Sequence, residues 1–377
     1  MNAQRFLAIA RKEWIHVLRD WRSLFLTVAI PMVLILLFGY ALNMDLRNVP
    51  TVVWDQSRTS QSRDLLELFD GSPYFSINTC YDSYDGIQSA LDSGAAMIAL
   101  VIPHDFATRI EASQPVKIQV IADGSDANTA RLALAYAQGI GLMYSGSVRA
   151  QRIRLLTGRD LKVPVELVPR AWYNPDLRSE NVIIPGILAM VMMVIAAMMT
   201  SVTVAKEWES GTMEQLISTP IRVPEIVLGK VVPYFVIGMF DVAAAVGLGQ
   251  WLFNVPLRGS TGLVFAMAAL FLTGALFFGL MISITMKKQV LANQIALITG
   301  FLPTMILSGF VFAIDNMPPA IQCITYLVPA RYFIALLRGI YLKGIGLEIL
   351  WINAVLLAVY AALMVFLAHR RMKLKLE

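Results

Sequence analysis

Residues 182–204 read VIIPGILAMVMMVIAAMMTSVTV, an apolar run with no charged residue, and Lys206-Glu207-Trp208-Glu209 follow it almost at once. A hydrocarbon layer about 30 Å thick takes roughly 20 such residues in a helix, so the run reads as a membrane span that ends at a polar surface. Working outward, blocks 226–253, 261–285, 290–313 and 347–368 have the same apolar character, and so does 23–43 (SLFLTVAIPMVLILLFGYALN) upstream. The expectation is an α-helical polytopic membrane protein with six transmembrane helices. Composition agrees: 57% of the 377 residues are hydrophobic and only 15% charged, where a soluble domain carries about a quarter charged.

The first block follows a basic segment, which raises the question of a signal peptide. The block is longer than a typical signal core and no small-x-small cleavage site follows it, so it reads as a retained anchor, with Pro31 kinking it. Residues 1–22 ahead of it read as an amphipathic helix. Phe6, Ala10, Trp14, Val17 and Trp21 recur at helical steps, with Arg5, Lys12, His16 and Arg19 on another face. Such a helix suits the cytoplasmic membrane interface; packing on protein is the plainer alternative.

Between the first and second spans, residues 44–181 change character. Thr51–Trp54, Tyr74–Asn78, Met97–Val101 and Val116–Ile121 read as strands, and Arg63–Phe69, Ser83–Asp92 and Pro103–Ile110 as helices between them. That alternation predicts an inserted α/β domain, followed by a long stalk helix from about Ala127 to Leu156.

Positive charge sets the orientation. Arg5, Arg11, Lys12, Arg19 and Arg22 precede span one, Lys206, Arg222 and Lys230 lie between spans two and three, Lys287 and Lys288 between four and five, and Arg370, Arg371, Lys373 and Lys375 after six. With six spans all fall on one side, which is then cytoplasmic, as are both termini. Arg258, Arg331, Arg338 and Lys343 are the minority opposite. The insert, being long, crosses regardless of its charge and is expected to be extracytoplasmic. Because the basic residues edge apolar blocks, the net charge of +5 points to lipid and not to nucleic acid.

Cys80 and Cys323 form no CxxC motif, and His16, His104 and His369 are scattered, so no metal site is expected. Two unpaired cysteines is the plainer reading, with a disulfide open in an oxidising compartment. The sequence contains no GxxxxGK[ST] loop; Gly229–Lys230 lacks both the upstream glycine and the hydroxyl. Energy for any pumping must come from a partner or an ion gradient.

The loop between spans two and three runs Lys206-Glu207-Trp208-Glu209-Ser210-Gly211-Thr212-Met213-Glu214-Gln215-Leu216-Ile217-Ser218-Thr219-Pro220. Thr212 and Gln215 suggest a capping box. Met213, Leu216 and Ile217 suggest a short apolar stripe, ended by Pro220. A small capped helix at the inner surface could pass force from a soluble partner; the bland alternative is a solvated turn.

This run resembles the K/R-E-x-E-x-G-T-x-E-Q-L-x-x-T-P signature of ABC-2-type permeases, continued by Ile226–Lys230, with Trp208 standing where the family more often has a charge. Leu307–Ala313, Asn316-Met317-Pro318, Tyr326-Leu327-Val328-Pro329, Tyr332-Phe333 and Leu337-Arg338-Gly339 resemble the family's outer loop before the last span. Trp54-Asp55, Ser62-Arg63 and Ser72-Pro73-Tyr74-Phe75 resemble the start of the large-insert subgroup. The resemblance covers essentially the whole chain.

It implies two permease subunits, identical or similar, paired with two ABC ATPase subunits that hold the ATP and magnesium, so this chain would bind no cofactor and have no catalytic residue. It implies a coupling helix near 207–219, with Glu207, Glu209, Gly211, Thr212, Glu214, Gln215 and Leu216 as the ATPase-coupling residues. Residues 1–22 would be the connecting helix, and 314–345 short re-entrant helices closing the outer exit. The subgroup is associated with multidrug-type efflux from a bacterial inner membrane, often beside a periplasmic membrane-fusion protein.

Three further residues draw attention. Asp241 lies inside span three, where a carboxylate is costly; it is a translocation-path candidate, against a structural bond to a neighbouring helix. Arg331 and Arg338, two turns apart, are outer-gate candidates, with headgroup anchoring the plainer role. Met190, Met192, Met193, Met198 and Met199 suit an adaptable ligand surface or simply the interior of a span. Two other function classes stay open: a membrane-anchored sensor binding a ligand through its insert, and an intramembrane enzyme. The first has more spans than it needs, and the second lacks clustered catalytic groups.

Overall fold

The computed structural model describes residues 2–41, 48–158, 172–175 and 178–372. The expected end of the first span at 42–43, the stretch 159–171 of the insert, and Lys373 and Lys375 lie outside the described residues. The chain divides into two compact units, Met1–Asn43 with Arg170–Glu377, and Met44–Pro169.

The first unit begins with helix α1 (Ala3–Arg19) and α2 (Trp21–Ala41), separated at Asp20. The second unit then runs β1 (Val49–Asp55), α3 (Ser60–Asp70), β2 (Phe75–Cys80), α4 (Tyr84–Asp92), β3 (Ile98–Ile102), α5 (Phe106–Glu111), β4 (Gln119–Ala122) and α6 (Ala127–Thr157). Its sheet has the order β2-β1-β3-β4. β1 is parallel to β2 and β3, and β4 closes one edge antiparallel to β3.

Both sheet faces are covered, so β3 (IALVI) is apolar at every position and buried throughout. Val49, Val53, Ile98, Leu100 and Ile102 face one side with Leu65 and Phe69 of α3, and Val52, Ala99 and Val101 face the other with Ile87 and Ala90 of α4. From α6, Ala133, Ala137, Ile140 and Tyr144 recur at helical spacing and complete the first side. The Tyr144 hydroxyl donates to the Gln61 carbonyl at 2.9 Å, which satisfies its polar end.

The chain returns to the first unit through α7 (Glu180–Ser201), α8 (Thr203–Glu209), α9 (Thr212–Ile217), α10 (Val223–Trp251), α11 (Thr261–Met286), α12 (Gln289–Leu307), α13 (Pro319–Thr325), α14 (Pro329–Arg338) and α15 (Leu347–Arg371). Among the described residues, five helical segments are long and apolar enough to cross a membrane: Glu180–Glu209, Val223–Trp251, Thr261–Met286, Gln289–Leu307 and Leu347–Arg371. The first of the expected blocks forms α2, whose apolar part is the shorter stretch Thr27–Tyr40. The expected block 290–313 ends earlier, at Leu307, and the chain turns at Gly309 with φ 81°.

α7 is central and packs against α2, α10, α11, α12 and α14. Its closest neighbour is α11, where Gly279 carries no side chain because a Cβ there would lie 2.2 Å from the Thr200 hydroxyl. Thr200 uses that proximity: its Oγ1 lies 2.9 Å from the Ala196 carbonyl and 2.8 Å from the Leu276 carbonyl of α11. On the outside, α15 exposes Ile349, Trp351, Ile352, Val355, Val359, Leu363 and Phe366. An apolar surface of that extent is not a water-facing surface; it matches hydrocarbon.

Candidate functional site

α7 breaks at Val202, and α8 continues for two turns. The break leaves amides without helical partners, and Ser283 of α11 supplies one. Its hydroxyl oxygen accepts from Val204 N–H at 3.0 Å and Ala205 N–H at 2.9 Å. Gly211 then adopts φ 72°, a left-handed turn that a side chain would strain, and α9 begins at once. Thr212 is therefore the first residue of α9 and not its cap. The expected Thr212–Gln215 capping box does not form: the Thr212 hydroxyl turns back to the Glu207 carbonyl at 3.4 Å, and Gln215 is exposed. The expected apolar stripe does form, with Met213 fully buried and Leu216 and Ile217 half-buried.

The proposed coupling residues separate into two sets. Gly211, Thr212, Glu214 and Gln215 are exposed at the tip, with Leu216 half-buried beneath them. Glu209 is exposed but accepts from the Gln289 backbone at 3.1 Å and side chain at 3.0 Å, tying the tip to the start of α12. Glu207 faces inward. Its Oε1 meets Lys12 Nζ at 2.7 Å and its Oε2 meets Lys230 Nζ at 2.9 Å. Trp208, the departure from the family pattern, is covered by the Lys287 ammonium at 4.6 Å from its ring.

Lys230 is 1% exposed and also meets Glu13 Oε1 at 2.8 Å. The two lysines and two carboxylates form a neutral chain, Lys12–Glu207–Lys230–Glu13, from solvent to interior. Burying such ions costs several kcal/mol each unless their partners are held in place, and here three elements hold them: α1, α8 and α10. Burial pulls the Lys12 ammonium down, but the hydrogen bond and charge of Glu207 outweigh it and hold Lys12 above its ordinary range. Positive-inside counting places Lys230 in a loop; in the fold it lies two turns inside α10. Its position within the apolar run Ile226–Phe235 was the available signal.

α1 is docked on protein. Ile9, Glu13 and Val17 form its buried face against α10, and a Cβ on Gly229 would lie 2.8 Å from Ile9 Cγ2. Asn2 N–H donates to Glu225 Oε1 at 2.6 Å, Arg5 donates to the Pro220 carbonyl, and His16 Nε2 lies 3.0 Å from Lys206 Nζ. The expected stripe is split by this docking: Val17 is buried, whereas Leu7, Trp14 and Leu18 make a separate exposed apolar face. α1 thus packs on protein by one side and leaves a second apolar side exposed.

Beside the ion chain lies a cleft of about 600 Å³ between α1, α2, α7, α8 and α10, with Asn293 of α12 at its edge. Its polar end combines Lys12, His16 and Lys206 with Glu13, Asp20 and Glu207, and its apolar wall includes Ile195, Met198 and Met199. Of the methionine cluster only Met198 and Met199 face this cleft; Met190, Met192 and Met193 are core. Asp241 is buried in α10, and neither oxygen meets a donor among the described residues. Among the described residues it is therefore not paired with a basic side chain.

The segment before α15 folds as a 3-10 turn (Ile314–Asn316), α13, α14 and a short π-helix (Gly339–Lys343), with an 84° bend between Pro319–Thr325 and Pro329–Lys343. Arg331 and Arg338 separate here. Arg331 donates to the Thr325 hydroxyl and lies 3.9 Å over the Tyr326 ring, fastening α14 to α13. Arg338 is half-buried, its Nε without an acceptor among the described residues. Cys80 and Cys323 are free thiols at exposed positions.

Long apolar helices and a lipid-type outer face define a multi-pass membrane protein, with a short exposed knob fastened to its bundle by buried ions. A family model described as "ABC-2 family transporter protein" matches residues 21–370, and the chain belongs to that family. It is 36% identical to the Probable multidrug ABC transporter permease YbhS of Escherichia coli (strain K12), over 100% of this chain and 99% of that protein. It is 29% identical to the Probable multidrug ABC transporter permease YbhR of the same organism, over 92% of each. The Inner membrane transport permease YhhJ of Escherichia coli (strain K12) is 28% identical over 71% of this chain and 70% of its own length.

Proposed function

We propose that this chain is the membrane-spanning subunit of an ABC exporter that moves a hydrophobic or amphipathic, drug-like or lipid-like substrate outward across a bacterial inner membrane. ATP and magnesium are handled by a separate ABC ATPase subunit. Two permease subunits, identical or similar, make the pathway, and a periplasmic membrane-fusion protein is a further partner. Six spans are formed by α2, the helices beginning at α7, α10, α11 and α12, and α15. The 21 residues of α2 reach about 31 Å, enough for the hydrocarbon layer. α13 and α14 are re-entrant at the outer side, with Arg331 and Arg338 near the gate. Both termini lie inside, and Met44–Pro169 lies outside.

The observation that carries this reading is the knob whose Gly211, Thr212, Glu214 and Gln215 are exposed, backed by buried ions. A force received at α9 would pass through α8 and Glu207 into Lys230 of α10 and Glu13 of α1. The sensor alternative gives that knob no task. The names of the full-length relatives support a multidrug-type transporter, and the 600 Å³ cleft has the size of a drug-type pocket.

Glu214→Lys tests the coupling role, since it reverses a charge at the exposed tip without touching the ion chain. With the ATPase subunit present, the variant is expected to insert normally while ATP turnover no longer drives transport. Unchanged transport by Glu214→Lys removes α9 from the coupling path.

A further inference from the structure

The cleft of about 600 Å³ has room for a drug-sized molecule, and its lining is sorted by polarity. Leu24 and Ile30 of α2 face Ile195 and Met198 of α7 across its apolar part, and the ionisable groups come from α1 and α8. Most of that charge is already matched. Glu207 meets Lys12 and Lys230, and Glu13 meets Lys230. Asp20 has a bonding partner of its own. Lys206 differs. Among the described residues its ammonium meets no carboxylate, only His16 Nε2 at 3.0 Å. An ammonium has three hydrogens to donate, so Lys206 keeps two for a ligand.

That inventory selects among ligands. A cation would have to draw a carboxylate away from its present partner. A wholly apolar molecule would use the wall and gain nothing from Lys206. A molecule with one acidic group and an apolar body uses both. Its anionic oxygens accept from Lys206, and its body lies along α7, where Met198 is about 12 Å of helix rise from Lys206. The thioethers of Met198 and Met199 adapt to bodies of different shape.

We propose that this cleft is a binding site for amphipathic organic anions, with Lys206 holding the acidic end and Leu24, Ile195 and Met198 against the apolar body. Binding rests on the cleft and its charges alone; only the step from bound ligand to exported cargo rests on the permease reading above.

The test uses the purified full chain in a non-ionic detergent, without nucleotide or ATPase, and radiolabelled dodecane-1-sulfonate at trace concentration as the probe. Dodecane-1-sulfonamide, of equal length and uncharged, is one competitor, and dodecyltrimethylammonium, of opposite charge, is the other. The wild-type chain is expected to bind the sulfonate saturably and at least about tenfold more tightly than either, the gain expected of a charge-assisted hydrogen bond. Lys206→Gln should lower sulfonate affinity to that of the sulfonamide, with Lys206→Arg retaining most of the preference. Met198→Trp, which fills the wall, should weaken both ligands alike. A parallel arm adds phosphatidylglycerol or phosphatidylcholine to the micelles. Displacement of the probe by phosphatidylglycerol alone supports the anion site and makes an acidic membrane lipid its ligand; displacement by neither supports a soluble amphipathic anion. Non-saturable binding, equal competition by the sulfonamide, or an unchanged preference in Lys206→Gln overturns the proposal. The wild-type contrast needs no variant, so it decides even if a substitution unfolds the chain. Failure of ATP-driven transport with every substrate would count against the permease reading and leave this binding result standing.

Discussion

At the residue scale, Lys230 carries the largest consequence. It sits between Glu13 and Glu207, 2.8 and 2.9 Å away, and replacing it by Met leaves two carboxylates buried without a counter-charge. Breaking a buried pair from one side costs about 3–5 kcal/mol, so Lys230→Met should lower the thermal midpoint sharply in detergent. Adding Glu13→Gln and Glu207→Gln should recover most of the loss, because the uncompensated charges are gone. A triple variant as unstable as the single one would mean that the ions are not coupled. None of this chain of ions was legible as such in the sequence. The helical pattern of residues 1–22 does not single out Glu13, and Glu207 belongs to a motif that reads as surface. Pairing across α1, α8 and α10 is a tertiary fact that helical period and motif order do not contain. Asp241 was legible, because a carboxylate inside an apolar block is conspicuous wherever its neighbours sit.

At the scale of elements, the break between α7 and α8 depends on Ser283. Ser283→Ala leaves the Val204 and Ala205 amides without an acceptor in a buried place, at a cost of about 1–3 kcal/mol for each unsatisfied group. Thr285→Ala, which removes an exposed hydroxyl bonded to its own helix at Met281, should stay within about 0.5 kcal/mol. Comparing the unfolding midpoints of the two variants checks the assignment; equal effects would contradict it. The inserted strands and helices were readable to within a few residues because β-type runs alternate with capped helices, and both faces of β3 are apolar. α3 starts ahead of the expected Arg63: the reciprocal bonds of Thr59 and Ser62 set it at Ser60, a short-range signal that the apolar pattern of Leu65 and Phe69 does not show. The misread cap at Thr212 has the same lesson. A capping pattern specifies a cap only if the preceding chain is extended, and here α8 runs into Gly211.

At the scale of the whole molecule, apolar blocks and the basic residues at their edges lead directly to a polytopic membrane protein, since helix length against bilayer thickness is a property of sequence. The exposed faces of α12 and α15 are not divided by sequence into lipid-facing and subunit-facing parts, because both partners are apolar. Native mass measurement of an active preparation should find permease chains in pairs; a lone chain in a transporting complex would remove the two-subunit pathway. The most direct measurement concerns the two sides of the membrane. In a background with Cys80 and Cys323 replaced by Ser, single cysteines at the exposed positions Asp92 and Glu214 are labelled with an impermeant maleimide, with the outer face of the inner membrane accessible. Asp92→Cys should react in sealed cells, and Glu214→Cys only after the membrane is opened. Labelling of both positions from the same side would contradict a chain driven from within that delivers its cargo outside.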